Sequence, residues 1–223
     1  MSLCLKRTIR FAILVSVLLS SVLGIAQDEE TIHLKTRRFK FFDDRIEFYE
    51  YTEVIKGSFK LISDEFVIRR EQEEARFVDA RKGVYIEFDN GSASSVILDY
   101  DLQLERGVLK EEVEAFIRTS GSDESVRILC DEMEIDTPGQ IYEGSVTRES
   151  EKVRIYKGDL YAECVSFLYD GKTEIITMVG KVYIEDPKNS RRLWAERATL
   201  SLQDDSLEAE NATMELLTTR GRE

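Results

Sequence analysis

From Thr31 onward, apolar and polar residues alternate with a period of two. Val96, Leu98, Tyr100, Leu102 and Leu104 alternate with Ile97, Asp99, Asp101, Gln103 and Glu105. Ile176, Met178, Gly180, Val182 and Ile184 share one face against Lys181, Tyr183 and Glu185. Val84, Ile86 and Phe88 follow the same rule with Tyr85 and Glu87. Successive side chains of a strand point to opposite faces, so this pattern predicts half-buried antiparallel strands. The window Leu109 to Arg118 fits helix or strand by periodicity and is assigned as strand from its surroundings. Asn90-Gly91 and Asp170-Gly171 are two-residue hairpin signals of the type I′ kind. Pro138-Gly139 and Asp204-Asp205 add further turns. Many short strands with tight turns predict an all-β sandwich, jelly roll or barrel.

The N-terminus breaks this rhythm. Lys6, Arg7 and Arg10 precede an apolar run from Phe11 to Leu23, and Gly24-Ile25-Ala26 supplies small residues before Gln27. That order predicts a secretory signal peptide over residues 1–26, with a short membrane anchor as the alternative. The run is short against the ~20 residues a spanning helix needs. The chain is therefore expected to be exported, with residues 27–223 forming one β domain. In a bacterial cell that means the periplasm, or the periplasmic face of the inner membrane if the anchor is retained.

The 223 residues carry 31 basic and 44 acidic groups, a formal charge of −13. Removing the leader takes away three basic residues and no acidic one, so the mature part is more acidic still. A general positive field for nucleic acid is excluded. One histidine, His33, and three cysteines leave few soft metal ligands. Asp43-Asp44, Asp204-Asp205 and the Glu71 to Glu74 cluster lack calcium-loop spacing and are read as solvated charge. No nucleophile elbow, zinc-protease motif or phosphate loop is present, so neither a catalytic site, a metal nor a cofactor is expected. Cys130 and Cys164 remain after export, where disulfides are permitted. They are either paired across neighbouring strands or buried as two inert thiols.

The C-terminal half repeats itself. Tyr161-Ala162-Glu163-Cys164-Val165-Ser166-Phe167 lies over Trp194-Ala195-Glu196-Arg197-Ala198-Thr199-Leu200, and a further copy begins at Leu129-Cys130-Asp131-Glu132-Met133. Between copies come Gly144-Ser145-Val146 and Gly180-Lys181-Val182, read as strand starts, with Gly83-Val84 as a looser echo. The unit recurs every ~30–36 residues, the range of a repeated supersecondary element. Each hairpin buries one face only, so successive hairpins must stack.

The pattern of an Ala-Glu strand, a turn and then Gly-x-Val-x-Ile resembles the OstA-like family of lipopolysaccharide-transport proteins. Tyr161-Ala162-Glu163, Gly180-Lys181-Val182-Tyr183-Ile184, Leu193-Trp194-Ala195-Glu196 and Leu207-Glu208-Ala209-Glu210-Asn211-Ala212 carry the likeness, clearest over 126–217. The resemblance implies an open, taco-like β-jelly roll of repeated antiparallel hairpins around an apolar groove. It also implies a non-enzymatic lipid carrier that holds lipid or glycolipid acyl chains. Its strand edges would dock with similar β-jelly-roll domains or with a second copy. On this reading Val146, Val165, Phe167, Val182, Ile184, Trp194, Leu200 and Leu202 line the groove. The acidic charge opposes an anionic glycolipid except near local basic pairs such as Arg69-Arg70 and Arg191-Arg192. The rival reading is a structural β-solenoid of the envelope, with a packed interior and no ligand.

Overall fold

The computed structural model of the protein describes residues 31–71, 74–119 and 124–217. The leader assigned to residues 1–26 lies outside them. The described residues form fifteen antiparallel strands and no helix. In order these are β1 (His33–Phe41), β2 (Arg45–Lys56), β3 (Phe59–Glu71), β4 (Glu74–Phe88), β5 (Gly91–Asp101), β6 (Arg106–Arg118) and β7 (Ser125–Asp136). There follow β8 (Ile141–Ser145), β9 (Val153–Lys157), β10 (Leu160–Cys164), β11 (Ser166–Asp170), β12 (Ile175–Asp186), β13 (Arg191–Ser201), β14 (Leu207–Glu210) and β15 (Thr213–Leu216). The ambiguous window is strand: it lies within β6.

Each pass of the chain pairs with the one before it, and β8/β9, β10/β11 and β14/β15 are each one pass cut in two. The cut is an exaggerated form of a break that every pass carries. Register shifts fall between Tyr49 and Thr52, Arg81 and Val84, Lys110 and Val113, and Val179 and Val182. In each case two residues on one strand face one on its neighbour, for example Lys82-Gly83 against Val96, and Gly180-Lys181 against Glu196. This is the two-against-one arrangement of a β-bulge, which bends a strand and increases its twist. Left-handed backbone marks the column: Glu50, Lys82, Gly83, Glu111, Glu112, Gly180, Lys181 and Asn211 all have φ between 50 and 81°.

A bend at one level in every pass folds the ladder into two leaves. The front leaf carries the turns at 42–44, 102–105, 137–140, 171–174 and 202–206. The back leaf carries those at 57–58, 89–90, 158–159 and 187–190. Their facing sides form a single apolar core that runs from Phe48 to Leu202. Burying each Leu, Ile or Phe of that core contributes about 1.5–3 kcal/mol. The jelly-roll architecture expected from the sequence is therefore present.

The repeat motif has a different job from the one expected. Gly180-Lys181-Val182 lies in the middle of β12 as its bulge, not at a strand start. The small residue of the motif sits just before the single-residue side of the bend, at Ser63, Ser95, Cys130, Cys164 and Ala195, all buried. Small side chains are required there because the leaves converge at the bend. The single proton of the Ser63 hydroxyl is also shared between the carbonyls of Glu65 (2.9 Å) and Arg81 (2.7 Å), which braces the bend. The copy beginning at Tyr161 is thus shifted by two residues. Across β12, Glu163 shares Tyr183 with Trp194, so Cys164 occupies the level of Ala195. Asn90-Gly91 also differs from expectation. The turn residues are Asp89 and Asn90, neither with positive φ, so the hairpin is not type I′.

Gly144 is fixed by packing alone. A Cβ there would collide with the Phe167 ring and lie 3.2 Å from the Cys130 sulfur. Gly144→Val is expected to destabilise the fold by about 1–3 kcal/mol through overpacking. Urea unfolding monitored at the single tryptophan, Trp194, would measure it.

Candidate functional site

Of the eight residues assigned to the groove, five meet in the interior. Phe167, Val182, Ile184, Leu200 and Leu202 are buried between the leaves. Val165 and Trp194 are not there. Val165 is the single-residue side of the bend and turns outward. Leu193 and Ala195 face inward, which sends Trp194 between them to the outside. Trp194 instead continues an outer ring ladder, 5.5 Å from Tyr183, which is 6.5 Å from Tyr161. Val146 is partly buried where the chain leaves β8.

The slot expected to be open is shut along its mouth in this structure. Phe59 of the back leaf stacks on Tyr100 of the front leaf at 4.6 Å, and Phe88 packs on Tyr142 at 5.0 Å. The Tyr142 hydroxyl donates to Asn90 Oδ1 across the rim at 2.7 Å. Burial pushes the Tyr100 and Tyr169 phenols up to about 12. The inward side chains are essentially inaccessible to water, Ile128, Ile155, Ile176 and Met178 at 0% exposure. A depression of about 510 Å³ lies elsewhere, on the outside of the front leaf above Phe77, Val108 and Ile141. The lysines at the rim, Lys56 and Lys157, escaped the sequence reading, although each opens a Lys-Gly turn.

The ends are built differently from the middle. β1 pairs only with β2, and β14 and β15 pair only with β13, so each end of the roll is a free strand edge among the described residues. Inward-facing apolar residues are uncovered there. Leu34, Phe39 and Phe41 point toward the interior at one end, with Phe41 61% exposed. Met214 and Leu216 do so at the other, with Leu216 66% exposed. The outward faces carry opposite charge: Lys35, Arg38 and Lys40 on β1, against Glu208, Glu210 and Glu215 on β14 and β15. Charge patterning had marked neither edge, because each is short within an acidic chain.

The local basic pairs do not offer free cations for an anion. Arg192 binds Glu185 at 2.9 Å, Arg191 binds Asp186 at 2.8 Å and Arg69 binds Asp79 at 3.0 Å. Among the described residues no group of three or more His, Cys, Asp or Glu could hold a metal ion.

Cys130 and Cys164 are unbonded, buried thiols. They occupy equivalent levels on alternate passes: Cys164 pairs with Val153, and the register of β7 with β9 carries Cys130 to the opposite side of the same valine. Two strand spacings are ~9.6 Å, beyond the ~7 Å that a disulfide tolerates. Burial raises both thiols to about 12.

No family model matches the chain, and neither does any curated protein. Among solved structures, it is similar to LptH, the LptA-homologous periplasmic component of the lipopolysaccharide transport device of Pseudomonas aeruginosa. The two are 15% identical with a TM-score of 0.48, over 57% of this chain and 95% of that one.

The two buried thiols make stability depend on pH. An unfolded thiol loses its proton near its ordinary value of 9.0, whereas the folded protein holds it to about 12. Their contribution to stability is full below pH 9 and drains away as the pH rises toward 12. Denaturant midpoints across that interval should fall. Intact-mass analysis after iodoacetamide of a chain running from Gln27 to Glu223 should show no label on the native protein and two on the unfolded one.

Proposed function

We propose that the protein is an exported, non-enzymatic carrier module of the cell envelope. It acts in the periplasm, where acyl chains of a lipid or glycolipid occupy the space between its leaves and identical or similar β-rolls join it end to end. The observation that carries this reading is the pair of uncapped ends. Stacked-repeat proteins ordinarily close their terminal units with a polar face. Here, among the described residues, the apolar interior runs out to both edges and stops uncovered.

The two edges are also fitted to one another. β14 and β15 are four residues each, separated by the two-residue break Asn211-Ala212, and β1 has four residues on each side of the single residue Arg37. Pairing them antiparallel sets Asn211-Ala212 against the single Arg37, the same two-against-one step that β1 makes with β2. Phe39 and Phe41 then meet the inward side of Leu207 and Ala209, while Arg38 and Lys40 lie beside Glu208 and Glu210. Adding a strand to a free edge supplies main-chain hydrogen bonds, and the charges set the polarity of the joint. The resemblance to lipopolysaccharide-transport proteins supports the same reading.

A second reading has its own observation. The buried, latched interior favours a structural roll of the envelope with no ligand. Photo-crosslinkers at Phe167, Val182 and Leu200 distinguish the two. Lipid adducts at these positions, absent at the outward Lys181 and Glu185, are expected for a carrier. No adduct at any of the three positions would reject the carrier in favour of the packed roll.

End-to-end joining is tested separately by sedimentation at increasing concentration. Arg38→Glu with Lys40→Glu should weaken self-association about tenfold, the scale of a few surface ion pairs acting together. Mixing that variant with Glu208→Lys/Glu210→Lys protein should restore it.

A further inference from the structure

Two lysines a hundred residues apart make the same contact. Lys56, at the end of β2 on the back leaf, reaches over the mouth to the front-leaf turn at 102–105. Its Nζ donates to the Leu102 carbonyl at 3.0 Å and pairs with Glu105 at 2.5 Å. Lys157, at the end of β9, reaches over the mouth to the turn at 202–206. It donates to the Leu202 carbonyl at 3.3 Å and pairs with Asp205. The segments that make the two contacts match. Lys56-Gly57-Ser58-Phe59 corresponds to Lys157-Gly158-Asp159-Leu160, and Leu102-Gln103-Leu104-Glu105 to Leu202-Gln203-Asp204-Asp205. Backbone geometry repeats too: Gly57 and Gly158 have φ of 56 and 53°, Glu105 and Asp205 of 53 and 58°.

Among the described residues, the hydrogen bonds found across the mouth involve side chains: those of Lys56 and Lys157, and those of Tyr142 and Tyr169 with Asn90. The backbone ladders run along each leaf and hold the bend, so the rims can part without breaking them. The aromatic contacts beneath, Phe59 on Tyr100 and Phe88 on Tyr142, are apolar. An acyl chain sliding between them replaces like with like. Beside Lys157 a vestibule of about 230 Å³ lies between the rims, with Leu160 and Leu200 among its walls and Lys188 and Asn189 at its side. Lys157 itself is mostly buried, its side chain 8% exposed.

We propose that the mouth is a lateral gate, held shut by these two lysine latches, through which acyl chains pass into the interior. This rests on the carrier reading above. Each latch is an ion pair plus one hydrogen bond to a carbonyl, so an anionic headgroup arriving at the rim can take the ammonium in exchange for its carboxylate. The duplicated latch places one release point in each half of the roll.

The test uses a fluorescent fatty acid, cis-parinaric acid, and follows its rate of uptake by the full mature chain at concentrations where it is monomeric. Lys56→Cys/Glu105→Cys and Lys157→Cys/Asp205→Cys are combined and bridged with a reducible bis-thiosulfonate linker, the native thiols being buried. Bridged protein should take up probe at least about tenfold more slowly than the same protein after reduction, as expected if a closed state must open first. Lys56→Met/Lys157→Met, which keeps the packing of the stems but not the charge, should speed uptake about fivefold per latch, the strength of a partly exposed ion pair.

Equal rates before and after reduction would overturn the gate while leaving the carrier intact, with the uncapped ends as the route. An unchanged rate in the methionine variant would do the same even if the bridged protein failed to fold. Absence of uptake by the wild-type chain and by every variant would reject the carrier and the gate together.

Discussion

The fold depends on one local constraint: in pass after pass, from β1 against β2 to β12 against β13, two residues on one strand face a single residue on its neighbour, at the same level. A bulge bends and twists its strand. Repeated in register it becomes a crease. Without the crease the alternating strands would make a long twisted sheet with one apolar face in water. With it the two halves of each strand turn toward each other, and each apolar face covers the other. The left-handed residues from Glu50 to Asn211 are the cost of that crease. Most are Glu, Lys or Asn rather than glycine, each strained by roughly 1–2 kcal/mol in that conformation. The core must outweigh this strain, and the small buried residues from Ser63 to Ala195 let it do so by allowing the leaves to meet.

The same crease separates two kinds of cohesion. Along each leaf the chain is held by continuous backbone ladders. Across the mouth it is held by ring contacts and a few charged or hydroxyl side chains. Local openings of a protein follow the least cooperative connections. A roll built this way yields at its mouth before it yields at its bend. The ends differ again: they expose inward-facing Phe41 and Leu216 and present backbone groups with no ladder partner among the described residues, a combination that natural proteins usually blunt. The charges on β1 and on β14 and β15 make those edges selective rather than merely adhesive.

Cys130 and Cys164 illustrate how far the repeat could be trusted. The sequence placed them in successive copies with the same facing, which is correct. The pairing between copies was ambiguous, and a two-residue slip preserves facing because strand parity repeats every second residue. Only the pairing through Val153 sets them on alternate passes, too far apart to bond. Val165 and Trp194 were misplaced for a related reason. A bend changes which residues face inward, and an unbroken alternation hides it. The signal that could have revealed the bend was the small-x-x-apolar run, present at Ser63-Asp64-Glu65-Phe66 as well as in the copies recognised.

What the sequence by itself determined is everything with a short range. Period-two alternation made strands, including the doubtful stretch of β6, and Gly, Pro, Asn and Asp marked the places where the chain turns. The ~30-residue repeat implied that hairpins stack. Tertiary structure decided what depends on residues far apart along the chain. Lys56 meets Glu105 and Lys157 meets Asp205 only because the crease brings one leaf's turns over the other's. No local pattern encodes a contact across nearly fifty residues. Whether the interior is closed at the mouth and open at the ends was settled there, by packing between leaves rather than by alternation within a strand.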